Sequence, residues 1–98
     1  MSDLRKLARG RECTVRLEGV CNHDPETTVL AHVRLAGISG MGIKAPPILG
    51  AWACSCCHDA IDRRAHLNLD RDHVRLAHLD GMVRTLEILW REGHIHGG

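Results

Sequence analysis

The sequence predicts an α+β fold: a small stapled domain with an N-terminal hairpin, two strands and a long C-terminal helix. One observation is the order of patterned segments, which runs hairpin, strand, loop, strand, helix, helix, with too few strands for a parallel sheet. Another is the thin core. The 98 residues make one domain with no Phe or Tyr, and Trp52 and Trp90 are its only large aromatics. The third is cysteine. The chain has five, and three of them fall in "ACSCCHDAIDRR", residues 53–64. Small domains with thin cores need a staple, either disulfides or a metal.

The odd cysteine count and the charged start "MSDLRKLARGRE", which has no signal-peptide character, point to a reducing cytoplasm and so to zinc over disulfides. No apolar run approaches the length of a membrane span. The net charge of +1 excludes little, but its distribution is uneven. Residues 1–16 carry Arg5, Lys6, Arg9, Arg11 and Arg16 against Asp3 and Glu12, a balance of +3. Such an end can meet a phosphate backbone; a solvated charged helix is the other reading. Eight histidines raise the prospect of metal or proton chemistry.

Taken in order, "DLRKLAR" (3–9) can form a short helix ended by Gly10. "ECTVRLEGVCN" reads as a tight hairpin: a strand at 14–17, a turn at Glu18-Gly19, and a return to Cys21. "TTVLAHV" (27–33) is β-branched and apolar, hence a strand. Its period of two puts Leu30, His32 and Arg34 on one face and Val29, Ala31 and Val33 on the other. Three glycines and two prolines make 34–47 a loop. "ILGAWA" (48–53) is a second strand leading into the cysteine cluster. From Cys57 the absence of Gly and Pro through "CHDAIDRRAH" predicts a helix to about His66. The last helix covers about 70–93, with Val74, Ala77, Met82, Val83, Leu86, Leu89 and Trp90 at helical spacing. Asp70 or Asp72 would cap its start and Gly93 its end, while Gly81 leaves two shorter helices as an alternative.

Cys54 and Cys57 form a C-x-x-C pair at a strand end, and Cys13 and Cys21 flank the hairpin with seven residues between them. Two turns, each bringing two sulfurs to one ion, complete a tetrahedral zinc site. The competing reading leaves Cys13 and Cys21 as small buried residues without metal. Cys56 is the spare thiol, expected to pack in the core; a catalytic thiol paired with His58, or a redox sensor, is its alternative. Residues four apart share a helix face, so His58, Asp62 and His66 are expected in one row, with Asp59 and Arg63 on the next face. His with a carboxylate at this spacing can hold a divalent cation, or simply decorate a solvated surface. The two-strand, loop and helix order should bring the end of the first strand beside the helix start, so that His32 faces His58 and Asp62.

Hairpin cysteines, a strand ending in "AHV", a Gly-rich loop and "ACSCCHDAIDRR" resemble the HNH, or ββα-metal, endonuclease fold in its zinc-binding variant. More narrowly, "DLRKLARGRECTVRLEGVCN", "PETTVLAHVRLAG", "GMGIKAPP", "CHDAIDRR" and "EGHI" resemble the YbcO-like phage and prophage nuclease family over nearly the whole length. The resemblance implies one domain, 1–98, with a zinc hairpin at 11–22, a ββα core at 27–66 and the helix at about 70–93. It implies that His32 is the general base, that His58 and Asp62 hold a catalytic divalent cation (Mg²⁺ or Mn²⁺), and that Arg34, Lys44, Arg63 and Arg64 hold flanking phosphates. DNA is the implied partner, with phage or host recombination proteins beside it, in a bacterial cytoplasm. The pattern departs in two places. Ala31 stands where many HNH enzymes place an Asp ligand, and Leu49 roughly where they place Asn. His66 or Asp59 would then complete the metal site. The rival class is a non-catalytic zinc module that binds nucleic acid or protein.

Overall fold

The computed structural model describes residues 4–33 and 48–95. Helix α1, Leu4–Leu7, is shorter than the expected 3–9 and gives way to a turn at Gly10, whose φ of +80° suits glycine. A 3₁₀ turn at Pro25–Thr27 follows, capped by Asp24, whose side chain accepts from the Glu26 N–H at 3.1 Å. Strands β1 (Val29–His32) and β2 (Gly50–Ala53) pair antiparallel, with Val29 opposite Ala53 and His32 opposite Gly50. Helix α2 covers Ser55–Ile61 and helix α3 Arg71–Arg91.

The expected hairpin at 14–17 is not a β-ladder. Arg16 has a φ of +52°, which no strand accommodates. Its N–H donates to Cys13 Sγ at 3.4 Å, and the N–H groups of Val20 and Cys21 both donate to the Leu17 carbonyl at 3.1 and 2.9 Å. The segment is therefore a pair of tight turns, and Cys13, Thr14, Val15 and Leu17 are all buried in place of alternating. Thr14 serves the outer edge of β2. Its N–H donates to the Trp52 carbonyl at 2.7 Å, and the Trp52 N–H reaches the Thr14 and Thr85 hydroxyls at 3.1 and 3.2 Å. Those hydroxyls bond each other at 2.9 Å. A loop and a helix thus satisfy the backbone that a third strand would have paired, as buried N–H and C=O groups require.

All four residues of β2 are buried, and α3 packs across it. The core falls into two clusters. One joins the cysteine turns to Ala31, Ala51, Ala53, Ala60 and Val74; the other gathers Ala8, Trp52 and Leu89. Arg11 lies 4.9 Å from the Trp52 ring centre and forks onto Glu92 at 2.6 and 2.5 Å, tying the N-terminal segment to the end of α3. Helix α3 is continuous through Gly81, because a Cβ there would meet Val15 Cα at 3.0 Å: the glycine permits close packing and does not break the helix. Val83 and Trp90, two of the apolar residues at helical spacing, are 61% and 55% exposed. Helix α2 starts earlier and ends sooner than expected. Cys54 is its N-cap, and Arg63, at a φ of +59°, takes the chain out of the helix after the Asp62 C-cap. His66, itself at a φ of +57°, therefore does not stack above Asp62, and the three-residue row is cut to two.

Candidate functional site

The four sulfurs of Cys13, Cys21, Cys54 and Cys57 lie within 4.8 Å of one another. Among the described residues they are the one group of three or more such side chains that could hold a metal ion. A regular tetrahedron with metal–sulfur bonds of about 2.3 Å has edges of roughly 3.8 Å. Cys21 Sγ and Cys54 Sγ are 3.8 Å apart, so the donor set fits an ion such as zinc. Each half is built by a tight turn. The Arg16 N–H supports Cys13 Sγ, and the Cys57 N–H supports Cys54 Sγ, both at 3.4 Å. The second bond is also the N-cap of α2, so a thiolate at Cys54 meets the positive end of that helix. Cys13, Cys54 and Cys57 are buried, and Cys21 is half-buried.

Four thiols this close cannot all ionise without a cation. The hydrogen bond from Cys57 holds Cys13 down at about 4, against burial that opposes it. The same bond, with burial, pushes Cys57 far up. Burial first, and then the charge and hydrogen bond of Cys13, raise Cys21 to about 11. A bound cation resolves the conflict, because thiolates are the form it binds. Cys56 stands outside the set, half-buried against the core, with its sulfur 3.6 Å from Asn22 Nδ2.

Beyond Cys57 the chain turns to a different surface. A cleft of about 550 Å³ is lined by His32 from β1, Asp62, Arg63 and Arg64 from the end of α2, and Arg71, Asp72, Arg75 and His78 from α3. His58 joins it through Asp62, with Nε2 3.3 Å from Oδ2. Arg64 approaches the same Asp62 oxygen at 3.6 Å. Of His32, His58 and Asp62, expected to face one another, His32 and Asp62 line one cleft and His58 reaches it through Asp62. Arg63 has a second use: its guanidinium donates to the Leu69 and Leu67 carbonyls at 3.3 and 3.1 Å, holding the 62–70 turn. Exposed His66 and half-buried Asp59 do not line the cleft. Arg34 and Lys44 lie outside the described residues.

Sequence reasoning missed the contribution of α3. Arg71, Arg75 and His78 recur at i, i+4 and i+7, a spacing that could have placed them on one face. His78 is buried, and its Nε2 lies 2.9 Å from the Ala31 carbonyl. A neutral ring donates N–H there and fixes the backbone directly before His32. Burial holds His78 below its ordinary pKa, which keeps it in that neutral form.

The family model described as "Putative nuclease YbcO" matches residues 2–94. The chain belongs to the YbcO family. A YbcO protein of Escherichia coli K12, itself described as a putative nuclease, is 55% identical over 95 residues, covering 97% of this chain and 98% of the relative. A YbcO protein of Enterobacteria phage 82 matches to the same extent. A solved structure described as a putative bacteriophage protein from Escherichia coli K-12 superposes with a TM-score of 0.79 at 49% identity, covering 93% of this chain and all of the other. At that identity the solved structure shares the fold of this chain. No helix among the described residues is long and apolar enough to cross a membrane.

Proposed function

We propose that this YbcO protein is a zinc-stapled, HNH-type endonuclease of phage or prophage origin that hydrolyses DNA phosphodiester bonds in a bacterial cytoplasm. The observation that supports this reading is one cleft lined by two histidines, His32 and His78, two aspartates, Asp62 and Asp72, and four arginines. The nuclease description of its relatives agrees with it. In this reading His32 is the general base, and its imidazole takes a proton from the attacking water. His58 and Asp62 hold a divalent cation, Mg²⁺ or Mn²⁺, with His66 or Asp59 completing the set after a local rearrangement. Bound there, it supplies charge stabilisation at the scissile phosphate and the leaving oxygen. Arg64, Arg71 and Arg75, all exposed on the cleft, hold flanking phosphates, because guanidinium forks match phosphate oxygens. Arg34 and Lys44 are further phosphate ligands in this reading, and Arg63 braces the turn beside Arg64. The cysteine site holds zinc and, through the Cys54 cap, keeps α2 where His58 and Asp62 are needed.

The test is nicking of supercoiled plasmid with Mg²⁺ or Mn²⁺. Wild type should nick, and His32→Ala should fall by about 10²–10⁴-fold, the usual contribution of a general base. Equal cleavage by both proteins removes His32 from that role. A second reading rests on Ala31, a buried residue with no ligand atom where many HNH enzymes carry a metal-binding Asp. A non-catalytic zinc module would bind DNA in a salt-sensitive way. Its binding would ignore both His58→Ala and added divalent metal, and no nick would form.

A further inference from the structure

Helix α3 carries a buried face and a separate apolar face, and among the described residues only the first is fully packed against the domain. Val74, His78, Gly81, Thr85 and Leu89 are buried against the rest of the chain. Leu76, Leu79, Val83, Leu86 and Trp90 form a second row at strict three–four spacing. At about 100° per residue this row is centred roughly 140° around the helix from the first. It faces away from the core, with Leu76, Val83 and Trp90 60%, 61% and 55% exposed and Leu79 and Leu86 half-buried.

The geometry points to this row as a parallel, two-fold coiled-coil seam that binds a second copy of this chain. Three features of the helix select that occupant. The three–four spacing is the heptad a/d pattern, which calls for another helix as partner. Both d positions are Leu and the central a position is the β-branched Val83, the combination that favours two parallel strands. The flanking charges agree. With Leu76 at a, Arg75 falls at g and Asp80 at the following e position. In a parallel pair, g of one helix meets the next e of the other, so Arg75 faces the second copy's Asp80, and the two-fold axis makes the contact twice. The seam does not rest on the nuclease reading, but it shares Arg75 with the cleft, so the charge-reversal variants are read by association alone.

A seam of two heptads is short, so the dimer should dissociate at micromolar concentrations instead of being permanent. Sedimentation equilibrium of the full, zinc-loaded chain from about 1 µM to 1 mM reads it. Wild type should associate reversibly to a dimer, and Val83→Lys and Leu76→Glu should each raise the dissociation constant at least 100-fold. Circular dichroism should show both variants folded, since neither side chain lies in the core. Asp80→Arg should weaken the dimer at least tenfold, and Arg75→Asp together with Asp80→Arg should restore it. A monomer at every concentration, or a dimer indifferent to Val83→Lys, overturns the seam. Weakening by the single charge reversal without rescue by the double overturns the parallel register.

Discussion

At the scale of single residues, His78 is where structure and chemistry meet most closely. It spans from α3 to the Ala31 carbonyl at 2.9 Å, next to the proposed base. Burial lowers its pKa from the ordinary 6.5. The Ala31 carbonyl and Asp62 pull it back up, and Arg75 and His58 push it down. The sign for stability follows. Below about 6.5 the unfolded chain takes up a proton that the folded chain refuses, so unfolding gains on folding as pH falls. The stability tied to a neutral His78 is complete above that pH and lost below it. His78→Gln keeps an N–H donor but does not titrate. The denaturant midpoint of wild type should therefore drop more between pH 7 and pH 5 than that of His78→Gln, and parallel curves would remove His78 as the cause. His78→Ala should cost about 1–3 kcal/mol for the unpaired carbonyl, read at pH 7.5. The four cysteines were legible in the sequence because two short-range turns fix their spacing. His78 was not, because its partner is a backbone carbonyl 47 residues away, and no side-chain pattern marks such a partner.

At the scale of elements, α3 decides how the domain closes. The sequence marks Gly81 as its weak point, yet the helix passes through intact because that glycine lies against Val15. Two effects of Gly81→Ala oppose each other. Helix propensity gains about 1 kcal/mol. Against it, a Cβ 3.0 Å from Val15 Cα and Cγ2 forces backbone apart, and overpacking of this kind costs about 1–3 kcal/mol. Overpacking should win, because Val15 sits on the turn that carries Cys13 and cannot retreat freely. Thermal unfolding should show a lower midpoint for Gly81→Ala; a higher one would mean that α3 slides off the turn at little cost. The strands, the two main helices and their order were readable because β-branching, capping aspartates and breakers are local signals. The face of α3 was not. Its core side includes His78, Gly81 and Thr85, while its outer side carries Leu, Val and Trp, so apolar spacing alone selected a mixture of the two. The 14–17 strand failed for a related reason: one left-handed residue, Arg16, outweighs β-propensity once Cys13 Sγ can accept its N–H.

At the scale of the whole molecule, the question is what replaces a large core. Among the described residues the biggest fully buried side chains are Trp52, Val15, Thr14, Thr85, Cys54 and Cys57, and two of these six are members of the cysteine site. Among the described residues little apolar volume is buried to oppose chain entropy. The cysteine turns touch β1, β2, α2 and α3 through one cluster, so opening them loosens all four of these elements. Structural zinc is worth about 10–16 kcal/mol in small metal-folded domains, while a domain of this kind has about 5–15 kcal/mol in all. Stripping the metal should therefore abolish cooperative unfolding at 25 °C, not merely shift its midpoint. The check is circular dichroism on protein treated with a strong chelator, followed by stoichiometric return of Zn²⁺. Signal and transition should vanish and then recover at one metal per chain. Cys54→Ser should behave like the stripped protein. Cys56→Ser should bind one metal and melt close to wild type, because that sulfur faces Asn22 and stands outside the four. A chelated protein that still melts cooperatively within a few degrees of the loaded one would show that the hydroxyl network around Trp52 and the packing of α3 hold the fold without it.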